Sequence, residues 1–207
     1  MVRLNGKKID TVFFDIGGVL LDILPEAAHK QLSIYTGLDI KIIQKAFPGK
    51  AHDAYEKGEI DDDTFFEAYR ENLPYHNGLT SGQFWQAWSR YIVKETPVVE
   101  LLEKVSKNKK TWLLSNTNPM HIHKDISAYS FPKLIDGAVY SFEVGLRKPD
   151  EQIYLKAVEI AETKLESSLF IDDLKENIES AKKVGMNAIQ FIHPKQLEEA
   201  LADFNCI

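Results

Sequence analysis

The chain contains little cysteine. Cys206 is the single cysteine in 207 residues, so no disulfide can form within the chain. A chain of this length buries roughly 70% of the surface that it exposes when unfolded, so it needs neither a disulfide nor a structural metal for stability. This composition predicts a protein of a reducing compartment, the cytoplasm.

The sequence also has no long apolar run. No stretch approaches the about 18 consecutive apolar residues that a membrane-spanning helix requires. The first residues, Met1 to Lys8, are polar and do not contain the apolar region of a signal peptide. We therefore predict no membrane partner and a soluble, cytoplasmic protein.

Basic residues are not in surplus. The chain has 25 Lys and Arg against 31 Asp and Glu, a formal net charge of −6. The one basic cluster, Lys107-Asn108-Lys109-Lys110, precedes a predicted strand and is interpreted as a solvated turn. Because nucleic-acid-binding proteins carry a basic patch or stripe, the sequence predicts no nucleic-acid partner.

Strands and helices alternate through most of the chain. Val12, Phe13 and Phe14 form an apolar run typical of a parallel strand buried on both faces. Further strands are predicted over 111–114, 138–140, 169–171 and 188–191, with amphipathic helices between them and a loop over 141–149. This alternation predicts an α/β fold with a doubly wound, Rossmann-like parallel sheet.

Residues 23–93 have a different pattern. Apolar residues recur there at helical spacing, and no convincing strand is present, which predicts an inserted all-helical domain of residues 23–93 on a core domain of residues 1–22 and 94–207. Phe84, Trp85, Trp88 and Tyr91 form an aromatic stripe that we interpret as helix core rather than as a binding surface.

The predicted strands end in residues that carry chemistry. Asp15, Ser115 and the pair Asp172-Asp173 follow three of them, and Lys148 follows the strand over 138–140. Carboxyl ends of parallel strands share one edge of the sheet, where ligands bind. Two carboxylates about 4 Å apart repel by roughly 4 kcal/mol at an effective dielectric of 20, and a divalent cation relieves this. Oxygen ligands favour Mg²⁺, and Lys148 with Ser115 then favours a bridging phosphate.

Four segments resemble the motifs of the haloacid dehalogenase-like (HAD) hydrolase superfamily, in its order and spacing. They are Asp15-Ile16-Gly17-Gly18-Val19-Leu20, Leu113-Leu114-Ser115-Asn116-Thr117-Asn118, Gly145-Leu146-Arg147-Lys148-Pro149 and Phe170-Ile171-Asp172-Asp173-Leu174-Lys175-Glu176-Asn177. The resemblance covers the core, about two-thirds of the chain. The helical insert resembles the small helical cap of that superfamily. The sequences of the four motifs most resemble those of the α-D-glucose-1-phosphate phosphatase-like branch.

The resemblance implies a role for each matching residue. Asp15 would be the nucleophile that forms an aspartyl-phosphate. Mg²⁺ would be held by Asp15, the Gly17 carbonyl and Asp173, with help from Asp172 directly or through water. Ser115, the Asn116 amide and Lys148 would hold the phosphoryl oxygens, and Asn177 would orient the acidic side chains. The substrate would be a small phosphorylated metabolite, a sugar phosphate such as a sugar 1-phosphate.

One position departs from the pattern of most phosphatases in the superfamily. Gly17 stands where they carry a second aspartate, the general acid and base, although the glucose-1-phosphatase-like branch is similar in lacking it. General acid–base catalysis contributes about 10²–10⁴-fold, so we expect a preference for good leaving groups: sugar 1-phosphates, acyl phosphates and aryl phosphates. The alternative is a catalytically impaired protein that binds a phosphometabolite or a partner protein without efficient turnover. Dehalogenation and sugar-phosphate mutation fit less well.

Several polar residues are open to interpretation. His121 and His123 are two positions apart, so a helix would place them on different faces, and we interpret both as surface residues. His29 or His52 is a minor candidate for the missing acid, and Glu143 and Arg147 are expected to pair. The sequence leaves the oligomeric state open between monomer and homodimer.

Overall fold

The computed structural model describes residues 8–207, except for the side chains of residues 125 and 127. The prediction of no signal peptide concerns residues that, apart from Lys8, lie outside this range. Seven strands are present in the described residues: β1 (Thr11–Phe14), β2 (Leu21–Ile23), β3 (Ile92–Glu95), β4 (Lys110–Ser115), β5 (Gly137–Tyr140), β6 (Ser168–Asp172) and β7 (Asn187–Gln190). No helix within the described range has both the length and the apolar character needed to cross a bilayer.

Five strands form a parallel sheet in the order β5-β4-β1-β6-β7. The central strand β1 is fully buried, and its Phe13 lies in register with Trp112 of β4 and Phe170 of β6. Successive side chains of a strand point to opposite faces of the sheet. Val12 and Phe14 accordingly pack into one apolar core and Phe13 into another. The predicted α/β fold with a doubly wound parallel sheet is confirmed.

Ten α-helices accompany the strands in the described residues. They are α1 (Pro25–Thr36), α2 (Ile40–Lys45), α3 (Gly49–Glu56), α4 (Asp62–Glu71), α5 (Ser81–Trp88), α6 (Val98–Ser106), α7 (Ser141–Val144), α8 (Glu151–Ile160), α9 (Lys175–Lys183) and α10 (Pro194–Asp203). Helix α3 was not predicted, because Pro48-Gly49 looks like an interruption although proline is well tolerated where a helix begins. Helix α7 lies in the segment that the sequence predicts to be loop.

Helices α1 to α5 pack around an aromatic core of their own. Phe65 is at its centre, with the Tyr55 ring stacked at 4.7 Å between centroids and the Trp88 ring edge-on at 5.2 Å. Thr80 begins α5 with a capping box, in which its side chain and that of Gln83 bond the other residue's backbone. The division into a 23–93 domain and a 1–22 plus 94–207 domain remains a prediction.

A two-stranded antiparallel ribbon joins the helical segment to the sheet. Leu21 of β2 pairs with Glu95 of β3, and Ile23 pairs with Ile92. The prediction of no strand in residues 23–93 is therefore wrong at both ends of that range. Each strand is only three or four residues long, too short for a clear alternating pattern, and pairing between distant segments stabilises both.

The turn that follows α3 approaches α7 closely. Gly58 has a φ of +69°, and a Cβ added there would lie 2.3 Å from the backbone oxygen of Phe142 in α7. Both observations require glycine, because a side chain would be strained by the backbone and would meet an atom that cannot move aside.

Candidate active site

Lys148 connects two of the acidic residues at the carboxyl edge of the sheet. Its Nζ lies 2.9 Å from Asp15 Oδ1 and 2.6 Å from Asp172 Oδ2, and it donates a hydrogen bond of 3.0 Å to the Leu114 carbonyl. Lys148 is only 3% exposed, so both ion pairs are shielded from solvent. The structure thus brings together residues from three of the sequence motifs, at the ends of β1 and β6 and in the loop after α7.

The Asp172 carboxylate is fully engaged by protein groups. It accepts hydrogen bonds from the Leu174 N–H at 2.8 Å and from Asn177 Nδ2 at 3.0 Å to each oxygen, in addition to the ion pair with Lys148. Asp172 is completely buried. These contacts fit the orienting role expected of Asn177, which stays a prediction, and Asp172 is placed to fix the position of Lys148.

Asp173 projects toward the turn that follows Asp15. A Cβ added to Gly18 would lie 2.5 Å from Asp173 Oδ2, and Gly18 has a φ of +78°. Glycine at position 18 therefore leaves room for the Asp173 carboxylate. Oxygens of Asp15, Asp172 and Asp173 lie within 4.8 Å of one another.

This donor set fits a hard divalent cation. Three carboxylates and one ammonium leave excess negative charge in the protein interior, which is unfavourable without a further cation. Carboxylate oxygens are ligands that Mg²⁺ accepts. Asp15 and Asp173 are placed to hold such an ion. Asp172 is less available because its oxygens already accept bonds from Lys148 and Asn177.

The excess negative charge also shows in the pKa values. Burial, with a smaller contribution from Asp172, raises the pKa of Asp15 to about 7 although Lys148 opposes the shift. Burial and then Asp172 raise the pKa of Asp173. Burial lowers the pKa of Lys148, but Asp15 and Asp172 outweigh it, so the net shift is upward and the ammonium stays charged.

Ser115 and Asn116 lie beside Lys148 on the β4 side of the site. Ser115 is 2% exposed. The Asn116 side chain bonds the backbone of Lys148 twice: Oδ1 accepts from the N–H at 2.8 Å, and Nδ2 donates to the carbonyl at 2.9 Å. The side chain of Asn116 therefore positions Lys148. Its contact with phosphoryl oxygens stays a prediction, for which the main-chain amide and the second N–H of Nδ2 are the possible donors.

A cavity of about 270 Å³ opens above these residues and is closed on its far side by the helical segment. Trp88 and Tyr91 line this cavity, whereas Phe84 is packed in the helical core. The interpretation of the aromatic stripe as core is confirmed for Phe84 and Trp85 and is wrong for Tyr91. Trp88 belongs to the core and also lines the cavity, because at the end of α5 one side of its ring contacts the core and the other side faces the cavity.

Two histidines line the cavity. His121 is not a surface residue as expected: it stacks on Trp88 with 6.2 Å between ring centroids, and burial lowers its pKa to about 4. No pattern in the sequence indicates this contact, which depends on where α5 packs. His52 lies 3.5 Å from Glu56 in α3, and burial lowers its pKa. His29 is not among the cavity-lining residues.

Arg147 pairs across to the helical segment. Its Nη1 lies 2.6 Å from Asp53 Oδ1, and its Nε and Nη2 each lie 2.7 Å from Glu56 Oε2. The expectation that Arg147 pairs with Glu143 is wrong, because the Arg147 side chain reaches α3, whose existence the sequence did not reveal. This link holds the helical segment beside the loop that carries Lys148.

We expect the substitution Lys148→Met to lower the free energy of unfolding by about 3–5 kcal/mol at neutral pH without metal, because it leaves buried carboxylates without their cation. Urea denaturation measures this change. As a control, Lys94→Met removes an exposed lysine 3.8 Å from Asp22 and should change stability by less than about 0.5 kcal/mol. Equal losses in the two variants would contradict this account of Lys148.

The parallel sheet, the acidic cluster at its carboxyl edge and the helical segment after its first strand form the α/β fold and the site that the four sequence motifs predict. The family model of haloacid dehalogenase-like hydrolases matches residues 9–185, and the chain belongs to this family. The specific likeness to the α-D-glucose-1-phosphate phosphatase branch stays a prediction.

The curated proteins that are similar to the chain include the following three. A putative uncharacterized protein of Dictyostelium discoideum is 30% identical over 67% of this chain and 61% of its own length. The sesquiterpene phosphatase astK of Aspergillus oryzae is 22% identical over 84% of this chain and 85% of its own length. Acyl-CoA dehydrogenase family member 10 of Mus musculus is 25% identical over 95% of this chain, which spans 20% of that protein.

Solved structures share the fold. The HAD family enzyme bt-2542 of Bacteroides thetaiotaomicron, in complex with magnesium and inorganic phosphate, has a TM-score of 0.77 and 24% identity over 88% of this chain and 93% of its own. A predicted HAD-like hydrolase of Porphyromonas gingivalis has a TM-score of 0.78 and 22% identity over 94% and 96% of the two chains.

Proposed function

We propose that the protein is a Mg²⁺-dependent phosphatase that hydrolyses a small phosphomonoester through an aspartyl-phosphate on Asp15. The observation that carries this proposal is the buried ammonium of Lys148 between Asp15 and Asp172, with Asp173 beside them. Such a site combines a carboxylate nucleophile with a cation that can offset phosphoryl charge. We also propose a cytoplasmic location, which the single, buried Cys206 supports.

The reaction divides into two displacements. An oxygen of Asp15 attacks phosphorus, and the bond from phosphorus to the ester oxygen breaks, so the leaving group departs as an oxyanion that takes a proton from water, and an aspartyl-phosphate forms. Water then attacks this acyl phosphate, which releases inorganic phosphate and restores Asp15. Ser115, the main-chain amide of Asn116 and Lys148 bind the phosphoryl oxygens in both steps.

A cation would be held by Asp15, the Gly17 carbonyl and Asp173, with Asp172 assisting by fixing Lys148. When bound, Mg²⁺ supplies positive charge that offsets the charge on the phosphoryl group. Two of the similar proteins support this chemistry. One is a sesquiterpene phosphatase, and the other is a HAD family enzyme that was crystallised with magnesium and inorganic phosphate.

The substrate class follows from Gly17. Because no carboxylic acid stands at this position, the enzyme favours esters whose alcohol leaves without prior protonation, such as aryl phosphates and sugar 1-phosphates. The sugar 1-phosphate stays a prediction. The competing function is binding of a phosphometabolite or a partner protein without turnover, which the same glycine favours.

Phosphate release from a panel of monophosphates separates these two functions. The panel includes an aryl phosphate, an acyl phosphate, glucose 1-phosphate and an alkyl phosphate, each assayed with Mg²⁺ and with EDTA. We expect Mg²⁺-dependent release, fastest from the esters with good leaving groups. Binding without release from any ester would favour the competing function.

Mg²⁺ binding should depend on pH. Asp15 has a pKa of about 7 in the metal-free protein, so below pH 7 the cation must displace a proton from it. The affinity should rise about tenfold per pH unit between pH 5 and 6.5 and level off above pH 7. Isothermal titration calorimetry in buffers of different ionisation enthalpy measures both the affinity and the proton release. An affinity that does not change over this range would contradict the proposed ligand role of Asp15.

A further inference from the structure

We infer that the leaving group of the substrate is apolar: among esters with a good leaving group, the site is built for an aryl or other apolar ester rather than for a sugar 1-phosphate. This inference rests on the proposed function and goes beyond it, because it concerns the part of the pocket that does not touch phosphate. Three properties of the cavity carry it: its walls, the pairing of its polar groups, and its charge.

Aromatic rings form the wall above the catalytic residues. The rings of Phe47 and Trp88 are nearly parallel, at 4° and 6.1 Å between centroids, and Trp88 stacks at 6.0 Å on Tyr91. All three residues line the cavity, as do Ile23 and Ile92 of the two-stranded ribbon. A bound group in contact with these side chains gains affinity from the apolar surface that it removes from water.

The charged groups of this wall already have partners. His52 pairs with Glu56, and Glu56 pairs with Arg147, which also binds Asp53. A sugar carries several hydroxyl groups, and burying each of them without a hydrogen bond has a free-energy cost. The hydroxyl groups of a sugar would have to compete with these ion pairs for the same charged side chains. An apolar group needs no hydrogen bond from them.

A second pair on the same wall is formed by Asn118 and His121. The Nδ2 of Asn118 lies 3.3 Å from Nδ1 of His121, and the Asn118 Oδ1 accepts a hydrogen bond from the His121 backbone N–H. Asn118 thus occupies one ring nitrogen of His121, whereas Nε2 of His121 and Nε1 of Trp88 have no hydrogen-bond partner among the described residues. The wall therefore offers a ligand few unpaired polar atoms, fewer than the hydroxyl groups of a hexose, although it contains polar residues.

The charge of the cavity restricts the substrate to one phosphate. Among the described residues that line it, the lysine and arginine side chains are those of Lys148 and Arg147. Lys148 is engaged with Asp15 and Asp172, and Arg147 is neutralised by Asp53 and Glu56. A second phosphate would therefore meet no unpaired cation here, and the Glu56 carboxylate would repel it.

Apolar side chains also form the mouth of the cavity. Ile23, Phe47 and Leu174 line it and are 41%, 36% and 47% exposed, respectively. Because these residues continue the aromatic wall to the surface, an alkyl chain longer than the cavity can pass outward along them. The expected ligand is thus a phosphate head group at Asp15 with an apolar body that extends between β2 and α3.

Equilibrium binding to the Asp15→Asn variant tests this inference without turnover. The ligands are n-alkyl monophosphates from ethyl to octyl, with glucose 1-phosphate and inorganic phosphate as references, in saturating Mg²⁺. The phosphate head group is the same throughout, so differences report the leaving group. We expect the affinity to rise about three- to fourfold per methylene over the first few carbons, and hexyl phosphate to bind at least about tenfold more tightly than glucose 1-phosphate.

The substitution Phe47→Ala provides a second measurement on an exposed position. It should weaken hexyl phosphate binding by about five- to tenfold and leave inorganic phosphate binding unchanged. Tyr75→Ala, an aromatic truncation at a residue that is 54% exposed and does not line the cavity, should change neither. Affinities independent of chain length, or tighter binding of glucose 1-phosphate, would overturn the inference.

The wild-type protein separates failure of this inference from failure of the proposed function. If affinities follow chain length but no ester is hydrolysed, the apolar pocket is correct and the phosphatase proposal fails. If esters are hydrolysed but binding ignores chain length, the phosphatase proposal holds and the inference about the leaving group is wrong.

Discussion

The substitution Asp15→Asn should reduce phosphate release by about 10⁴- to 10⁶-fold, the scale of loss seen when a covalent nucleophile is removed. An amide oxygen cannot form the acyl phosphate intermediate, whereas the Asn side chain keeps the shape of Asp. It also keeps an oxygen that can accept the hydrogen bond that the Ile16 N–H donates to Asp15 Oδ1 at 2.8 Å. The fold should therefore persist while the reaction stops.

Steady-state release of inorganic phosphate from the best substrate of the panel measures this loss, and circular dichroism confirms the fold. Asp22→Asn is the matched control: Asp22 lies seven positions along the chain, is exposed and does not line the cavity. It should keep wild-type turnover. Substantial Mg²⁺-dependent release by Asp15→Asn would show that Asp15 is not the nucleophile.

The substitution Gly17→Asp should increase turnover of alkyl phosphates by about 10²- to 10⁴-fold, because it supplies a general acid for the departing alcohol. The structure has room for its Cβ: among the described residues, a Cβ at position 17 meets the Ile23 Cγ2 at 3.5 Å, which is an ordinary contact. The Gly17 carbonyl is part of the main chain, so its expected contact with the cation survives the change.

Two comparisons isolate the acid function of the new side chain. Gly17→Asn has nearly the same shape but cannot carry the proton, so it should give no increase. Aryl phosphates, whose phenols leave easily, should gain much less than alkyl phosphates. Equal gains from Asp and Asn, or equal gains for both classes of ester, would show that the missing acid does not limit the reaction.

The sequence was sufficient to predict which side chains meet at the sheet edge. Asp15, Lys148 and Asp172 could be predicted to meet because parallel strands bring their carboxyl ends to one edge, and this holds whatever the surrounding helices do. The fold class followed from the alternation of strands and helices for the same reason. These are consequences of local pattern and topology.

What the sequence did not predict depends on how the helical segment packs on the sheet. The ion pairs of Arg147 with Asp53 and Glu56 join residues more than 90 positions apart through a helix that was not recognised. The contact between His121 and Trp88 has the same origin. Periodicity shows that a helix has an apolar face, but it does not show what that face meets.

The close approach of Gly58 to the Phe142 carbonyl has a consequence for large mutational surveys. Any replacement at position 58 strains the backbone and pushes α7 away, and α7 leads directly into the loop that carries Lys148. A survey that scores variants by enzyme activity alone would rank Gly58 with the reacting groups, although it touches none of them. Scoring the same variants for abundance as well would show that replacements at position 58 lower the amount of folded protein, and would therefore identify Gly58 as a structural residue.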